Sequence, residues 1–204
     1  MDIEPSGFVQ ILNKSDYHWF TISTIGCKPG VVNIYDSASK HTVYRNKEEI
    51  AAILNTSRDS VTLQYMNVQH QYGGSDCGLF ALAFATALCT STDPTACTFD
   101  QGQMRAHFLS CLEKGQIDQF PFKERRPISR PVKLETFDIH CHCRMPDNQK
   151  ERMILCSGTC KQWYHDTCER IDENIWKSRL QWFCRNCKKW LLFYHMTLYT
   201  LSNC

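Results

Sequence analysis

The sequence lacks the features that place a chain in a membrane or in the secretory pathway. Residues 1–5 are acidic and polar, whereas a secretory signal opens with a basic segment followed by an apolar one. The apolar stretch at residues 190–201 falls short of the roughly 20 residues that cross a bilayer. A formal net charge of only +2 gives no argument for nucleic-acid binding by the whole chain. We therefore expect reduced thiols, a nuclear or cytoplasmic location and no membrane partner.

Cysteine, in contrast, is abundant and unevenly distributed. Of the 13 cysteines, seven lie between Cys141 and Cys187, and the other six are scattered singly. In a reduced chain, close pairs of cysteines indicate metal binding, because disulfides form mainly in oxidising compartments. The clustered cysteines therefore predict a metal-binding module near the end of the sequence.

Composition divides the 204 residues into four predicted segments: a first folded region at 1–122, a linker at 123–137, a cysteine-rich module at 138–188 and an apolar tail at 189–204. Pro127 and Pro131 interrupt regular hydrogen bonding, which favours an extended, solvated linker. The alternative is a nuclear-import or phosphate-contacting patch, and we expect no direct nucleic-acid binding beyond it. The basic side chains of the linker are Lys123, Arg125, Arg126, Arg130 and Lys133.

The first region predicts an α+β domain. Runs rich in β-branched and aromatic residues predict strands at residues 9–12, 19–25, 31–35 and 61–67. Apolar patterns predict helices at residues 47–54, 78–88 and 100–114. Strands followed by helices are typical of this fold class. The last helix is predicted to place four residues on one face, namely Met104, Phe108, Cys111 and Leu112.

A polar, glycine-containing loop precedes the predicted helix at residues 78–88 and places Cys77 at its N-terminus. Unpaired backbone N–H groups and the helix dipole favour a thiolate at such a position. A thiolate nucleophile also requires a general base and a carboxylate that orients that base. His18 is the candidate base, and Asp36 is the candidate carboxylate. In the alternative interpretation, Cys77 is a buried helix residue and the other two are ordinary surface or turn residues.

These motifs resemble the adenain-like family of papain-like cysteine proteases, which process SUMO and related ubiquitin-like proteins. The matching residues follow the family's order His, Asp, Gln, Cys and are His18, Trp19, Asp36, Gln71, Asp76, Cys77 and Gly78. The family's helical portion ahead of its His-Trp strand is missing here. The resemblance therefore implies an N-terminally shortened protease region, either a fragment or a degenerate enzyme.

The resemblance also implies a role for each residue. Cys77 would be the nucleophile, His18 the general base and acid, and Asp36 the group that orients the imidazole. Gln71 would donate to the oxyanion, and Trp19 would cover the channel for the substrate's C-terminal tail. The implied activity is that of a thiol isopeptidase or endopeptidase, with a SUMO-type modifier and its conjugates as partners.

The cysteine-rich segment offers eight candidate ligands in four close pairs. Zinc prefers four sulfur or imidazole ligands in a tetrahedron, so eight ligands satisfy two ions. A segment of about 50 residues buries little core, and metal binding then supplies much of its folding free energy. The predicted zinc ligands are Cys141, Cys143, Cys156, Cys160, His165, Cys168, Cys184 and Cys187.

The ligand order resembles that of the PHD finger family, in which histidine is the fifth ligand and an aromatic residue, here Trp182, precedes the last cysteine pair by two positions. A RING finger would place histidine fourth. The family's interleaved arrangement implies two ligand sets. One comprises Cys141, Cys143, His165 and Cys168, and the other comprises Cys156, Cys160, Cys184 and Cys187.

Met153 and Trp163 resemble the pocket walls with which histone-reading PHD fingers hold a methylated lysine. An aromatic face attracts a quaternary ammonium through its quadrupole. In the alternative interpretation, Trp163 is a structural core residue. Two functions are therefore predicted: an isopeptidase directed to chromatin or to another protein by its finger or, alternatively, a histone-tail binding module attached to an inactive or incomplete protease domain.

Overall fold

The computed structural model describes residues 7–14, 17–38, 46–178 and 181–189. The chain divides into two compact units, the first formed by residues 1–47 and 60–137 and the second by residues 48–59 and 138–204. Within the described residues, no helix combines the length and the apolar character that crossing a bilayer requires. Apart from residue 189, the predicted apolar tail lies outside the described residues.

A mixed five-stranded sheet forms the centre of the first unit. The strands of this unit within the described residues are β1 (Val9–Lys14), β2 (His18–Ser23), β3 (Val31–Tyr35), β4 (Ser60–Tyr65), β5 (Cys97–Phe99), β6 (Phe122–Glu124) and β7 (Lys133–Asp138). The sheet order is β1-β2-β3-β4-β7, and β5 pairs separately with β6. The pairings β1–β2 and β2–β3 are antiparallel, whereas β3–β4 is parallel.

Helix α2 packs against β1 and β2 through an apolar surface. The helices before the finger are α1 (Lys47–Leu54), α2 (Cys77–Cys89) and α3 (Gln101–Lys114). Because α2 is built almost entirely from apolar residues, it is suited to burial on several sides. The buried Thr21 hydroxyl of β2 donates to the Ala81 carbonyl at 2.7 Å, which fixes the helix on the sheet. Strands and helices together confirm the predicted mixed α and β content.

The core of the first unit is rich in aromatic rings. Phe80 and Phe84 of α2 pack against Phe99 of β5 with ring centroids 6.5 and 5.8 Å away. Both α2 rings are fully buried, and the fully buried Phe120 belongs to the same cluster. Such ring pairs contribute both buried area and favourable edge-to-face geometry.

Regular structure extends into the segment that was expected to be a linker. β6 occupies its first residues, and β7 forms an edge of the five-stranded sheet next to β4. Pro127 and Pro131 lie between these two strands, so their missing N–H groups interrupt no strand ladder. The residues between β6 and β7 are therefore the part of this segment that lies outside regular strands.

Between residues 139 and 178 the second unit contains a short antiparallel hairpin and two short helices, and residues 185–189 are also helical. The hairpin strands are β8 (Met153–Leu155) and β9 (Trp163–His165), and the helices are α4 (Asp166–Glu169) and α5 (Glu173–Lys177). Its core includes Tyr164 and Trp182, whose rings meet edge to face at 5.6 Å. The other buried residues of this core, among those described, are all cysteines.

Candidate metal centres and peptide-binding edge

The first ligand cluster is formed by Cys141, Cys143, His165 and Cys168, whose ligand atoms all lie within 4.8 Å of one another. The Sγ atom of Cys143 lies 3.3 Å from Nδ1 of His165. Nε2 of the same ring lies 3.3 Å from the Pro146 carbonyl oxygen and is positioned to donate to it. That hydrogen bond fixes the tautomer and leaves the Nδ1 lone pair available for a metal.

The second cluster is formed by Cys156, Cys160, Cys184 and Cys187, again with all ligand atoms within 4.8 Å. The Sγ atoms of Cys160 and Cys184 are 3.8 Å apart. A zinc–sulfur bond of about 2.3 Å gives a tetrahedral edge of about 3.8 Å, so this spacing fits zinc. Both clusters therefore have the donor types and the size that a zinc ion requires.

Backbone N–H groups surround the sulfur atoms of the second cluster. The N–H groups of Gly158 and Cys184 donate to the Cys156 sulfur at 3.3 and 3.2 Å. Burial nevertheless raises the pKa of Cys156 to about 12, whereas the backbone N–H of Cys160 lowers the pKa of Cys187 to about 6. Burial alone favours the neutral thiol, so the four cysteines of this cluster need a cation between them to be thiolates together at neutral pH.

Strand β8 has one backbone edge that pairs with no other strand among the described residues. Hydrogen bonds from Cys156 N–H to Gln162 and from Asp166 N–H to Arg152 flank the hairpin. Because opposed residues alternate between bonded and non-bonded pairs, the backbone groups of Met153 and Leu155 point away from β9. Those N–H and C=O groups are available to another strand.

An apolar patch lies beside this edge. Leu155 is opposite Trp163 in the register, and the two side chains are 41% and 43% exposed. Directly opposed residues lie on the same face of a hairpin, so these two side chains adjoin. Trp163 is therefore half-exposed and is not a core residue; the neighbouring Tyr164 is the buried aromatic.

The predicted pair of Met153 and Trp163 is related diagonally across the hairpin. Met153 is directly opposite His165, so it is two positions along β8 from the residue that faces Trp163. Diagonal neighbours remain within reach of long side chains. The sequence analysis missed Leu155, because the register that brings it to Trp163 depends on the length of the loop between the strands.

The comparisons with known proteins agree with this geometry. The PHD-finger family model matches residues 141–187. Residues 141–187 are a PHD finger. Two ligand clusters of this kind fit two zinc ions, which confirms the predicted cofactor. No solved structure matches the chain.

Three named proteins are similar to part of this chain. "Lysine-specific demethylase phf2" of Danio rerio is 34% identical over 28% of this chain and 5% of its own length. "Set1 complex component spp1" of Schizosaccharomyces pombe is 34% identical over 33% of this chain and 16% of its own length. "Chromatin remodeling protein EBS" of Arabidopsis thaliana is 35% identical over 24% of this chain and 20% of its own length. The chain thus spans a fifth or less of each relative.

The prediction that this chain is an isopeptidase for a SUMO-type modifier is wrong, because the matches are to the PHD finger and to proteins named as a demethylase, a Set1 complex component and a chromatin remodeling protein. Neither the family model nor these relatives show a protease region, and the described residues of the structure show a mixed α and β architecture but no protease fold. SUMO-type partners therefore lose their support. The alternative function, a PHD binding module, fits the findings better.

Some of the residues behind that prediction do lie close together. Nε2 of His18 is 2.7 Å from Oδ1 of the buried Asp36, and Cys77 is the first residue of α2. A Cβ atom at Gly78 would lie 3.6 Å from the Trp19 ring. In the described part of the chain, however, no hydrogen bond joins the Cys77 sulfur to the His18 ring.

The Gln71 side chain is already engaged within the first unit. Its Oε1 accepts from the Ser37 hydroxyl at 2.7 Å, and its Nε2 donates to the Gly73 carbonyl at 3.0 Å. An oxyanion donor would have to give up the second of these bonds. The individual roles assigned to His18, Trp19, Asp36, Gln71 and Cys77 remain untested predictions from the resemblance.

Proposed function

We propose that the PHD finger of this chain binds a histone tail and thereby acts as a chromatin reader in the nucleus. The observation that carries the proposal is the open backbone edge of β8, which lies beside the exposed Leu155–Trp163 patch. An extended peptide added to such an edge gains main-chain hydrogen bonds, and adjacent side chains then select its sequence.

The backbone part of the interaction uses Met153 and Leu155. Each offers one N–H and one C=O group on the side away from β9. A peptide that pairs with both residues would extend the two-stranded hairpin to three strands, which also supports the hairpin itself. Histone tails lack stable structure of their own and can supply an extended segment.

The side-chain part uses the Trp163 ring with Leu155 and Met153 as apolar neighbours. A methylated ammonium retains its charge but is less strongly hydrated, so an aromatic face and aliphatic walls favour it over an unmodified lysine. Met153 and Trp163 thus keep the pocket role proposed from sequence, with Leu155 added as the residue opposite the ring.

Acidic groups lie just before β8 and favour a basic peptide. Asp147 is exposed, and Glu151 precedes the strand by two residues. The nearby Arg152 does not oppose them strongly, because it pairs with Asp166 at 3.1 Å and with Glu173 at 2.6 Å. The local charge at the beginning of the open edge is therefore suited to a tail rich in lysine and arginine.

The names of the similar proteins support the same function. They include a lysine-specific demethylase, a Set1 complex component and a chromatin remodeling protein, and chromatin-related proteins of this kind favour a nuclear location. Because the matched regions cover a small part of these proteins, the support extends to the reader module and to no catalytic activity.

A titration of the zinc-loaded chain with histone-tail peptides tests the proposal. Each peptide is prepared with unmodified and with trimethylated lysine, and backbone amide shifts are followed by NMR. We expect the largest shifts at Met153, Leu155 and Trp163, and tighter binding of a methylated form. Absence of binding by every peptide at millimolar concentration would refute the histone-reader proposal.

A further inference from the structure

The second unit contains a cavity of about 480 Å³ on the side of the hairpin that faces away from Trp163. Gln162 and Tyr164 line this cavity, and consecutive side chains along a strand point to opposite faces. The cavity is therefore separate from the apolar patch formed by Leu155 and Trp163. Its size falls within the range of about 300–1,000 Å³ that is typical of ligand sites.

A nearly buried carboxylate lines the cavity. The Glu169 side chain is only 9% exposed, and the one charged neighbour found for it in the described residues is His142, whose Nδ1 atom is 3.5 Å away. The structure gives the Glu169 carboxylate no hydrogen bond anywhere in its described part. Neither carboxylate oxygen is among the buried side-chain atoms that lack a partner in the described residues, so these oxygens reach solvent in the cavity. A ligand that supplies donors and positive charge can therefore bind them there.

The arginines that line the cavity do not supply donors or positive charge to the Glu169 carboxylate. Arg144 donates to the carbonyl groups of Thr56 and Arg58 and pairs with Asp59 at 3.5 Å. Arg185 has an exposed side chain, so solvent screens its charge, and no ion pair joins it to Glu169 among the described residues. Among the described residues, the Glu169 carboxylate therefore has no ion pair with either arginine of the cavity lining.

The other lining groups fit a guanidinium better than a compact ammonium. The Gln162 and Asn186 side chains each offer a carbonyl acceptor, and a guanidinium has donors on several sides of one plane. His142 and Tyr164 add two rings with centroids 6.2 Å apart, and a planar cation can lie against an aromatic face. The His142 side chain is 55% exposed and can turn away from the carboxylate.

We propose that this cavity is a second peptide-binding site, which takes an arginine side chain of a partner protein through donation from the guanidinium to the Glu169 carboxylate. The finger would then contact two ligands at once, with the histone tail on the β8 edge and the arginine on the opposite face. Such a site gives a chromatin reader a means to recruit a partner while it remains bound to its tail.

Titration of the zinc-loaded full-length chain with Nα-acetyl-arginine amide tests the site. Nα-acetyl-citrulline amide is the matched control, because citrulline retains the shape of arginine but lacks its charge. We expect saturable amide shifts at Gln162, Glu169 and Asn186 with the arginine probe, and at least tenfold weaker binding of the citrulline probe. Equal binding of the two probes would overturn the proposal.

Two variants distinguish a loss of arginine binding at this site from a loss of the folded finger. Glu169→Gln preserves the size of the side chain and removes its charge. We expect this variant to bind the arginine probe with at least tenfold lower affinity. Glu173→Gln is the control, because Glu173 is 61% exposed and pairs with Arg152 away from the cavity lining. Both proteins should hold two zinc ions and give dispersed NMR spectra. Unchanged binding by Glu169→Gln would overturn the proposal, as would probe-induced shifts confined to Leu155 and Trp163.

Discussion

Gly158 lies so close to Cys187 that a Cβ atom added at position 158 would be 2.6 Å from both Cβ and Sγ of that cysteine. A third close neighbour is the Sγ atom of Cys156, at 3.3 Å. The two sulfurs are predicted zinc ligands of the second cluster, so they cannot move away without loss of the tetrahedral arrangement. Position 158 therefore requires glycine for steric reasons.

Substitution Gly158→Ala should disrupt the second zinc site. We expect the zinc content to fall from two ions per chain to about one, because the methyl group displaces a ligand sulfur. Metal analysis of the purified protein measures this directly. Gly102→Ala is the matched control, since a Cβ atom there meets only the Asp100 carboxylate oxygen, at an ordinary 3.5 Å. A Gly158→Ala protein that still holds two ions would contradict the steric argument.

Removal of zinc should unfold the finger and leave the first unit folded. The finger core includes several of the ligand cysteines with Tyr164 and Trp182, so loss of metal removes the groups that hold this core together. The first unit has an aromatic core that contains no predicted zinc ligand. After treatment with a chelator, the NMR spectrum should show loss of amide chemical-shift dispersion for β8 and β9. The amide signals of α2 should keep their positions. Preserved dispersion of the hairpin signals would contradict this expectation.

The local elements that precede the finger could be predicted because they depend on short patterns. The strand at residues 31–35 and the helix at 47–54 occur with the predicted bounds. The face of α3 was predicted less well: Met104 and Cys111 are buried, whereas Leu112 is 59% exposed. Eight residues at 100° each place Leu112 about 80° around the helix from Met104, beyond the buried stripe.

The eight zinc ligands could be predicted from their spacing, because the family pattern is local. In contrast, features that depend on contacts distant in sequence could not be predicted. The pairing of Leu155 with Trp163 depends on strand register, and the position of Glu169 in a cavity beside His142 depends on how distant segments of the finger pack. The wrong isopeptidase prediction has a related origin, since a motif order across residues 18–77 does not establish the contacts that catalysis requires.

Substitution Phe84→Ala should destabilise the first unit. Phe84 is fully buried and contacts the rings of Tyr35, Phe80 and Phe99, so truncation leaves a cavity that costs about 3–5 kcal/mol. The control is Leu112→Ala, for which we expect a change within about 0.5 kcal/mol because that side chain is exposed. Urea titrations in which the NMR signals of α2 report unfolding measure the free energy of unfolding of each variant. Equal effects of the two substitutions would contradict the assigned core.

Substitution Trp163→Ala should remove the preference of the finger for methylated lysine. Without the ring, the methylated ammonium loses its cation–π contact, so its affinity should approach that of the unmodified peptide, with a loss of about 1–2 kcal/mol. The backbone edge of β8 is unchanged by this substitution, and residual binding of the unmodified peptide should persist.

Tyr72→Ala is the matched control for this prediction, because Tyr72 is an exposed aromatic residue of the first unit, 83% exposed and remote in sequence from the hairpin. Peptide titrations of both variants, compared at equal zinc content, separate loss of the ring from loss of the fold. If Trp163→Ala retains the full preference for methylated lysine, recognition does not depend on this ring. The open edge of β8 would then bind the tail without reading its methylation.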